Sequence, residues 1–280
     1  MAEPSEVPYL LEIQRRSAPF IDEEGEQWYR RLVQLNRRKQ PGALVLIAKV
    51  ENEVAGYVIA YSCASSTGYI DELAVHPAFR GRGVGSALLK SAEQELLKRG
   101  AKVVELSVKS GDVGALNFYL KRGYTVTNFT FNLKAEVSRL RVCVQASSFR
   151  RVCGGDSRLI GELKPLVWWN ELTWQFDSKL NGEVGGKPLS IYDDDGIACY
   201  LEYSVDEGDL YVDYAAVRDV NDALAARELV GALRDESKKH GLKEIYISVD
   251  AEHDVIVSEL LSFGFQVFEV EFRAQKNLLA

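Results

Sequence analysis

The chain repeats itself. YIDELAV at Tyr69 to Val75 returns as YVDYAAV at Tyr211 to Val217, and RGAKVVELSV at Arg99 to Val108 returns as HGLKEIYISV at His240 to Val249. LKRGYTV at Leu120 to Val126 then returns as LSFGFQV at Leu261 to Val267. Three matches in one order, at a nearly constant offset, describe two copies of one module. Each copy has to bury a core of its own, and a chain of 280 residues is long enough for two domains of ordinary size. The predicted domains are 1–137 and 138–280, with the linker around the turn-rich CGGDS of Cys153 to Ser157.

Periodicity and breakers place the elements of the first copy. Trp28, Leu32 and Leu35 at helical spacing predict a helix over Gly25 to Arg38, which Pro41-Gly42 breaks. Ala43 to Val50 and Val54 to Ser65 predict a hairpin about a turn at Glu51 to Glu53. Tyr69 to Val75 is a third strand, followed by a helix from about Gly83 to Lys98 that Gly100 stops. A strand at Lys102 to Val108, a short helix at Gly114 to Gly123 and a strand from Tyr124 to Leu133 complete the order.

The copies differ most at HPAFRGRGVGSALL, His76 to Leu89. Where the first copy has Arg80, Gly83 and Gly85, the second has Asn221, Leu224 and Ala226 in VRDVNDALAARELV, an ordinary capped helix start. A strand running into glycines and then a helix makes an anion site. The glycines allow close approach and unusual backbone angles, and the first helical amides point at the ligand along a favourable dipole. A pyrophosphate suits this geometry, so nucleotides and coenzymes are the candidate ligands. No GK[ST] follows, and Ser86 stands where a dinucleotide fingerprint wants Gly or Ala.

Leu73-Ala74-Val75-His76-Pro77-Ala78-Phe79-Arg80-Gly81-Arg82-Gly83-Val84-Gly85 resembles the acyl-coenzyme A loop of the GNAT superfamily of N-acyltransferases. Asp112-x-x-Ala115-x-x-Phe118-Tyr119-x-x-x-Gly123-Tyr124 resembles a second segment of that family, with Asp112 where Asn is customary. The chain is therefore similar to a tandem GNAT protein whose C-terminal module is degenerate. The resemblance implies an α/β fold of two modules, each a mixed, mostly antiparallel central sheet flanked by helices. It implies acetyl-coenzyme A as co-substrate and no metal. The backbone from Arg80 through Gly81, Arg82, Gly83, Val84, Gly85 and Ser86 would hold the pyrophosphate, and Asp112 would touch the coenzyme. Leu73, Ala74 and Val75 would pair with the pantetheine arm as if it were a strand, in a gap where Tyr69 to Val75 and Lys102 to Val108 splay apart. Arg80 and Arg82 serve equally well as phosphate contacts or as solvated loop residues. Tyr119 would donate a hydrogen bond to the departing thiolate.

Amine acetylation needs a neutral amine beside a thioester. Deprotonating a lysine-type amine at neutral pH costs roughly 4.6 kcal/mol, whereas an α-amine costs only about 1 kcal/mol, so a general base matters for the first class. Glu72, Asp71 and Glu105 are the carboxylates on the central strands. Strict alternation puts Asp71 and Glu72 on opposite faces, so only one can look at the substrate. Asp71 recurs as Asp213 and Glu72 becomes Tyr214, which favours Glu72 as the base and Asp71 as structural. Leu260 replaces Tyr119 in the second copy. Binding of acyl-coenzyme A without turnover, as a sensor or scaffold, is the alternative function.

Other features narrow the partners. A net charge of −7 argues against nucleic acid and mildly favours a cationic acceptor. Four scattered cysteines suit a reducing cytosol, and the N-terminus lacks a signal peptide. No run is long enough to span a membrane, so the predicted location is cytoplasmic. Either a monomer with an internal pseudo-dimer or a homodimer is compatible. Trp168, Trp169 and Trp174 are expected to pack at a module seam or to edge the acceptor pocket.

Overall fold

The computed structural model describes residues 1–17, 25–37, 42–63, 66–141, 149–153, 161–170, 172 and 187–279. Cys143 and Trp174 lie outside these residues. The chain forms two compact units, one from Met1–Thr127 with Phe272–Ala280, the other from Asn128–Trp174 and Asn181–Glu271.

The first unit begins with helices α1 (Val7–Ser17) and α2 (Glu26–Arg37). Strands β1 (Ala43–Val50) and β2 (Glu53–Ser62) form the expected hairpin, and its turn residues Glu51 and Asn52 both take positive φ, as a tight hairpin requires. Then come β3 (Thr67–Val75), α3 (Val84–Lys98), β4 (Val103–Lys109) and α4 (Val113–Leu120). Leu88, Leu89, Ala92 and Leu96 of α3 recur at helical spacing and are buried against Val58, Ala60 and Ile70 of the sheet. β1, β2 and β3 pair antiparallel, whereas β3 and β4 pair parallel.

The second unit repeats this plan. It holds most of β5 (Thr125–Glu136), then β6 (Arg150–Cys153), β7 (Lys164–Pro165), β8 (Lys187–Asp193), β9 (Gly196–Asp206), β10 (Asp209–Val217), α5 (Ala223–Lys239), β11 (Glu244–Asp250) and α6 (Asp254–Phe263). β12 (Gln266–Asn277) starts in it. Strands β8, β9 and β10 pair antiparallel, and β10 and β11 pair parallel.

The units depart from a single cut at 137/138. The first ends inside β5, and the chain's last residues return to it. A strand belongs with the sheet that supplies its ladder. β5 pairs with β11 from Thr130↔Asp250 to Glu136↔Glu244, which assigns it to the second unit. The tail is tied into the first unit by Arg273, whose Nη2 donates to both carboxylate oxygens of Glu105 at 2.9 and 3.0 Å, and by Lys276 on Glu93. Neither exchange alters the apolar pattern of the strands, so neither was visible in it.

Candidate active site

Within the first unit the β3–β4 ladder runs from Thr67↔Val103 to Ile70↔Leu106 and stops. β3 continues to Val75 and β4 to Lys109 without pairing to each other, so the two strands part there as anticipated. Leu73, Ala74 and Val75 lie on this stretch, held from the other side by Val58, Tyr57 and Gly56 of β2.

The glycine loop leads from the end of β3 into α3. Gly81 and Gly83 have φ of +74° and +82°, and a Cβ on either would meet nothing within 4 Å. Glycine is demanded there by backbone angle and not by space. Gly85 is different, since a Cβ would come to 3.5 Å from Phe118 and Val75, an ordinary contact. Gly83 is the N-cap of α3, and no side chain caps the helix. The amides from Gly81 to Ser86 find no acceptor among the described residues. Uncapped amides at the start of a 15-residue helix form a concentrated site of partial positive charge. Arg80 turns back, its Nε donating to the Val75 carbonyl at 3.1 Å, and Arg82 lies over the Phe79 ring. The Ser86 hydroxyl accepts from Arg122, whose guanidinium also covers Phe118. Val84 is buried in the core. His76 accepts from the Ala78 amide and is a turn residue.

Asp112 caps α4, its Oδ1 accepting from the Ala115 amide at 2.8 Å. That cap orients the helix carrying Tyr119. The Tyr119 side chain is 8% exposed, ringed by Phe118 and Tyr124, and its hydroxyl has no partner among the described residues. Burial pushes its phenol well above the usual range, helped by the Asp112 charge and opposed by Arg122. It is therefore a protonated donor at any physiological pH.

The carboxylates on β3 depart from strict alternation. Ile59 pairs with Glu72 and Ala60 with Ile70, which leaves Asp71 as the extra residue of a β-bulge. Consequently both acids reach one face of the sheet. Tyr57 donates to Glu72 at 2.7 Å, and Tyr61, four residues along the same strand, donates to Asp71 at 3.4 Å. Tyr29 of α2 donates to the same Glu72 oxygen at 2.8 Å. Burial, then the Glu72 charge, raises the Tyr57 phenol far above its usual range. Glu105 is 6% exposed and neutralised by Arg273. Burial and the Glu105 charge push the Cys63 thiol up to about 12, so it is no nucleophile.

Tyr29, Tyr57 and Arg122 were not anticipated. Tyr29 and Tyr57 occupy ordinary core positions of a helix and a strand, and only the fold brings them to Glu72. In the second unit Asp250, Glu252 and His253 have ligand atoms within 4.8 Å of one another. Asp250 already accepts from Thr130 and from the Trp168 amide, and Glu252 from Asn128.

The second unit treats the same places differently. Its β10–β11 ladder also stops early, at Tyr211↔Tyr246, but here β7 enters beside the continuing strand, with Pro165 opposite Ala216 and Lys164 opposite Val217. Leu166 then donates its amide to Ala215 and accepts from the amide of Asp250, so the segment is stitched to both parted strands. The helix start is closed too, since Asp222 accepts from the amides of Leu224 and Ala225. Leu260 is buried at the place of Tyr119.

The first unit is thus an α/β module that combines a parted parallel strand pair, a glycine loop and a bare helix start. Residues 7–124 match the Acetyltransferase (GNAT) family. Solved structures of the same fold extend over both units. A tandem GNAT protein from the clavulanic acid biosynthesis pathway is 14% identical with a TM-score of 0.68, covering 98% of this chain and 94% of its own. A GCN5-related N-acetyltransferase from Sphaerobacter thermophilus is 15% identical with a TM-score of 0.65, covering 99% of this chain and 94% of its own. A glucosamine N-acetyltransferase region of a fungal multi-domain β-N-acetylglucosaminidase is 12% identical with a TM-score of 0.74. This chain is covered to 99% in that match but spans only 37% of the fungal protein. The chain has the fold of a tandem GNAT protein. Among the described residues no helix is long and apolar enough to cross a membrane.

Proposed function

We propose that the first unit transfers an acetyl group from acetyl-coenzyme A to a primary amine by direct attack in a ternary complex, and that the second unit binds no coenzyme. The observation that carries this reading is the row of acceptor-less amides from Gly81 to Ser86 at the end of a strand whose partner has parted from it. Those amides suit a diphosphate, and the edge of Leu73 to Val75 that β4 leaves unpaired suits the amide-bearing pantetheine arm. Asp112 contributes by capping the helix that carries Tyr119.

The chemistry follows from the positions of the polar groups. An ammonium acceptor loses a proton to Glu72, and the amine nitrogen attacks the thioester carbonyl carbon. The nitrogen of the tetrahedral intermediate then gives up its second proton as the C–S bond cleaves, and that proton neutralises the departing sulfur, which leaves as the free thiol. Tyr119 donates a hydrogen bond to the sulfur that receives the electron pair. Full proton transfer from phenol to thiolate is uphill by about 2 kcal/mol even from ordinary pKa values, and burial of Tyr119 adds to that, so stabilisation and not transfer is its role. The proton removed from the ammonium leaves Glu72 for solvent. The half-buried carboxylates of Asp71 and Glu72, backed by the buried phenols of Tyr29, Tyr57 and Tyr61, suit a cationic acceptor.

The test pairs calorimetry with thiol release. Coenzyme A should bind with one site per chain, and acetyl-coenzyme A should be consumed with at least one of glucosamine, spermidine and a tripeptide with a free N-terminus. Binding without turnover on any amine, with Tyr119→Phe silent, favours a sensor instead. No binding, or binding in the second unit, overturns the assignment.

A further inference from the structure

The duplication supplies an internal control for the carboxylates of β3. Both copies have the bulge, with Asp71 extra in the first and Asp213 extra in the second. Each bulge acid accepts from a hydroxyl at the same place on the neighbouring strand, Tyr61 for Asp71 and Ser204 for Asp213. A contact kept by both copies belongs to the fold. Glu72 behaves otherwise. By strand register Tyr57, opposite Ala74, corresponds to Tyr200, opposite Ala216. Tyr200 keeps its ring and loses its partner: Tyr214 stands in place of Glu72, the two rings meet edge to face at 6.0 Å, and the Tyr200 hydroxyl donates instead to Glu202. The carboxylate gripped by phenols at this position thus exists only in the unit with the bare helix start.

The grip itself is unusual. Tyr29 and Tyr57 are both fully buried, and each has a single proton to give. Both protons go to Oε2 of Glu72, at 2.8 and 2.7 Å. The 3.2 Å approach of the two phenol oxygens is then the consequence of converging on one acceptor. Two donors from different elements, one on α2 and one on β2, fix the carboxylate in position and hold that oxygen as an acceptor.

We infer that Tyr29 and Tyr57 are positioning residues that hold the Glu72 carboxylate in place for the acceptor amine. This rests on the reading of Glu72 as the base, and the experiment separates the two. The full chain carrying Tyr29→Phe, Tyr57→Phe, Glu72→Gln, or each tyrosine change combined with Glu72→Gln, is assayed for thiol release with the three amines above, with Tyr200→Phe as the control. Each front tyrosine change should lower kcat about tenfold, the loss of one hydrogen bond to a charged group, with coenzyme affinity unchanged. In the Glu72→Gln background the same changes should cost nothing further, because the group they position is gone. Tyr200→Phe should leave kcat alone. A merely structural pair would cost the same in both backgrounds, and that additivity overturns the inference while leaving Glu72 as base. Full activity of Glu72→Gln overturns both. A readout independent of the acceptor is the 13C carboxyl resonance of Glu72, assigned by its disappearance in Glu72→Gln. It should shift in each tyrosine variant, and an unmoved resonance in both sinks the inference whatever amine is used.

Discussion

The two parted strand pairs answer the same geometric problem in opposite ways. Parallel strands that diverge leave backbone donors and acceptors facing a gap, and buried groups of that kind must be paired. The second unit fills its gap with its own chain: Lys164 and Pro165 lie along Ala216 and Val217, and Leu166 bonds across to both sides. At the helix start it supplies a carboxylate, Asp222, where an external anion would otherwise sit. The first unit, in the proposed reading, leaves both tasks to the coenzyme, the diphosphate for the helix and the pantetheine amides for the strand edge. In that reading a duplicated fold becomes one site and one scaffold, and the second unit shows how the fold pairs these groups from its own chain.

The sharpest way to break this comparison is to place a carboxylate on the wrong helix. Gly83→Asp puts a negative charge at the bare start of α3 and a side chain at a φ of +82°. Like-charge juxtaposition costs several kcal/mol, so coenzyme A affinity measured by calorimetry should fall about 10³-fold. Leu224→Asp, in the first turn of α5 in the second unit, should leave affinity and stoichiometry intact. Equal losses from both would refute a single site. Next in size is the self-made strand. Leu166 is completely buried, and Leu166→Ala should lower unfolding stability by about 3 kcal/mol in urea titrations while coenzyme affinity stays the same. Coupled loss of binding would show that the segment serves the first unit as well.

How much of this was legible in the sequence depends on how local the signal is. The duplication, the element order and the glycine loop were legible because they rest on short apolar periods and on Gly81 and Gly83, whose backbone angles few other residues tolerate. The faces of Asp71 and Glu72 were misjudged because alternation assumes an unbroken ladder, and one bulge resets it. The Tyr29–Tyr57–Glu72 cluster joins residues from a helix and two strands, and a core tyrosine looks the same in sequence whether or not its hydroxyl has work to do. The segment at Lys164 to Trp168 is too short, and too interrupted by Pro165, to announce a strand. The unit to which β5 and the chain's last residues belong is set by long-range pairing and ion pairs, which the local apolar pattern does not encode.

Tyr119 sharpens the comparison from the chemical side. Its hydroxyl is nearly buried and has no acceptor among the described residues, whereas Leu260 at the same place is simply core. Tyr119→Phe keeps the ring packing and removes one donor to a developing thiolate. Thiol release should slow about 30-fold with coenzyme affinity within twofold of the parent, the loss of a hydrogen bond to a charged group. An unchanged rate would return the side chain to the packing role that Leu260 has.

The smallest expected effect tests whether the second unit is closed once or twice. Asp222→Ala removes the cap from α5 and frees the amides of Leu224 and Ala225, which costs about 1 kcal/mol of stability by loss of the cap alone. It also recreates, at one position, the bare helix start of the first unit. If the cap were the only barrier, the variant would acquire a second, weak coenzyme A site. Because β7 and Leu166 still occupy the gap between β10 and β11, calorimetry should continue to give one site per chain. A second site in Asp222→Ala would mean that the inserted strand yields to ligand, and that the carboxylate alone keeps the second unit closed.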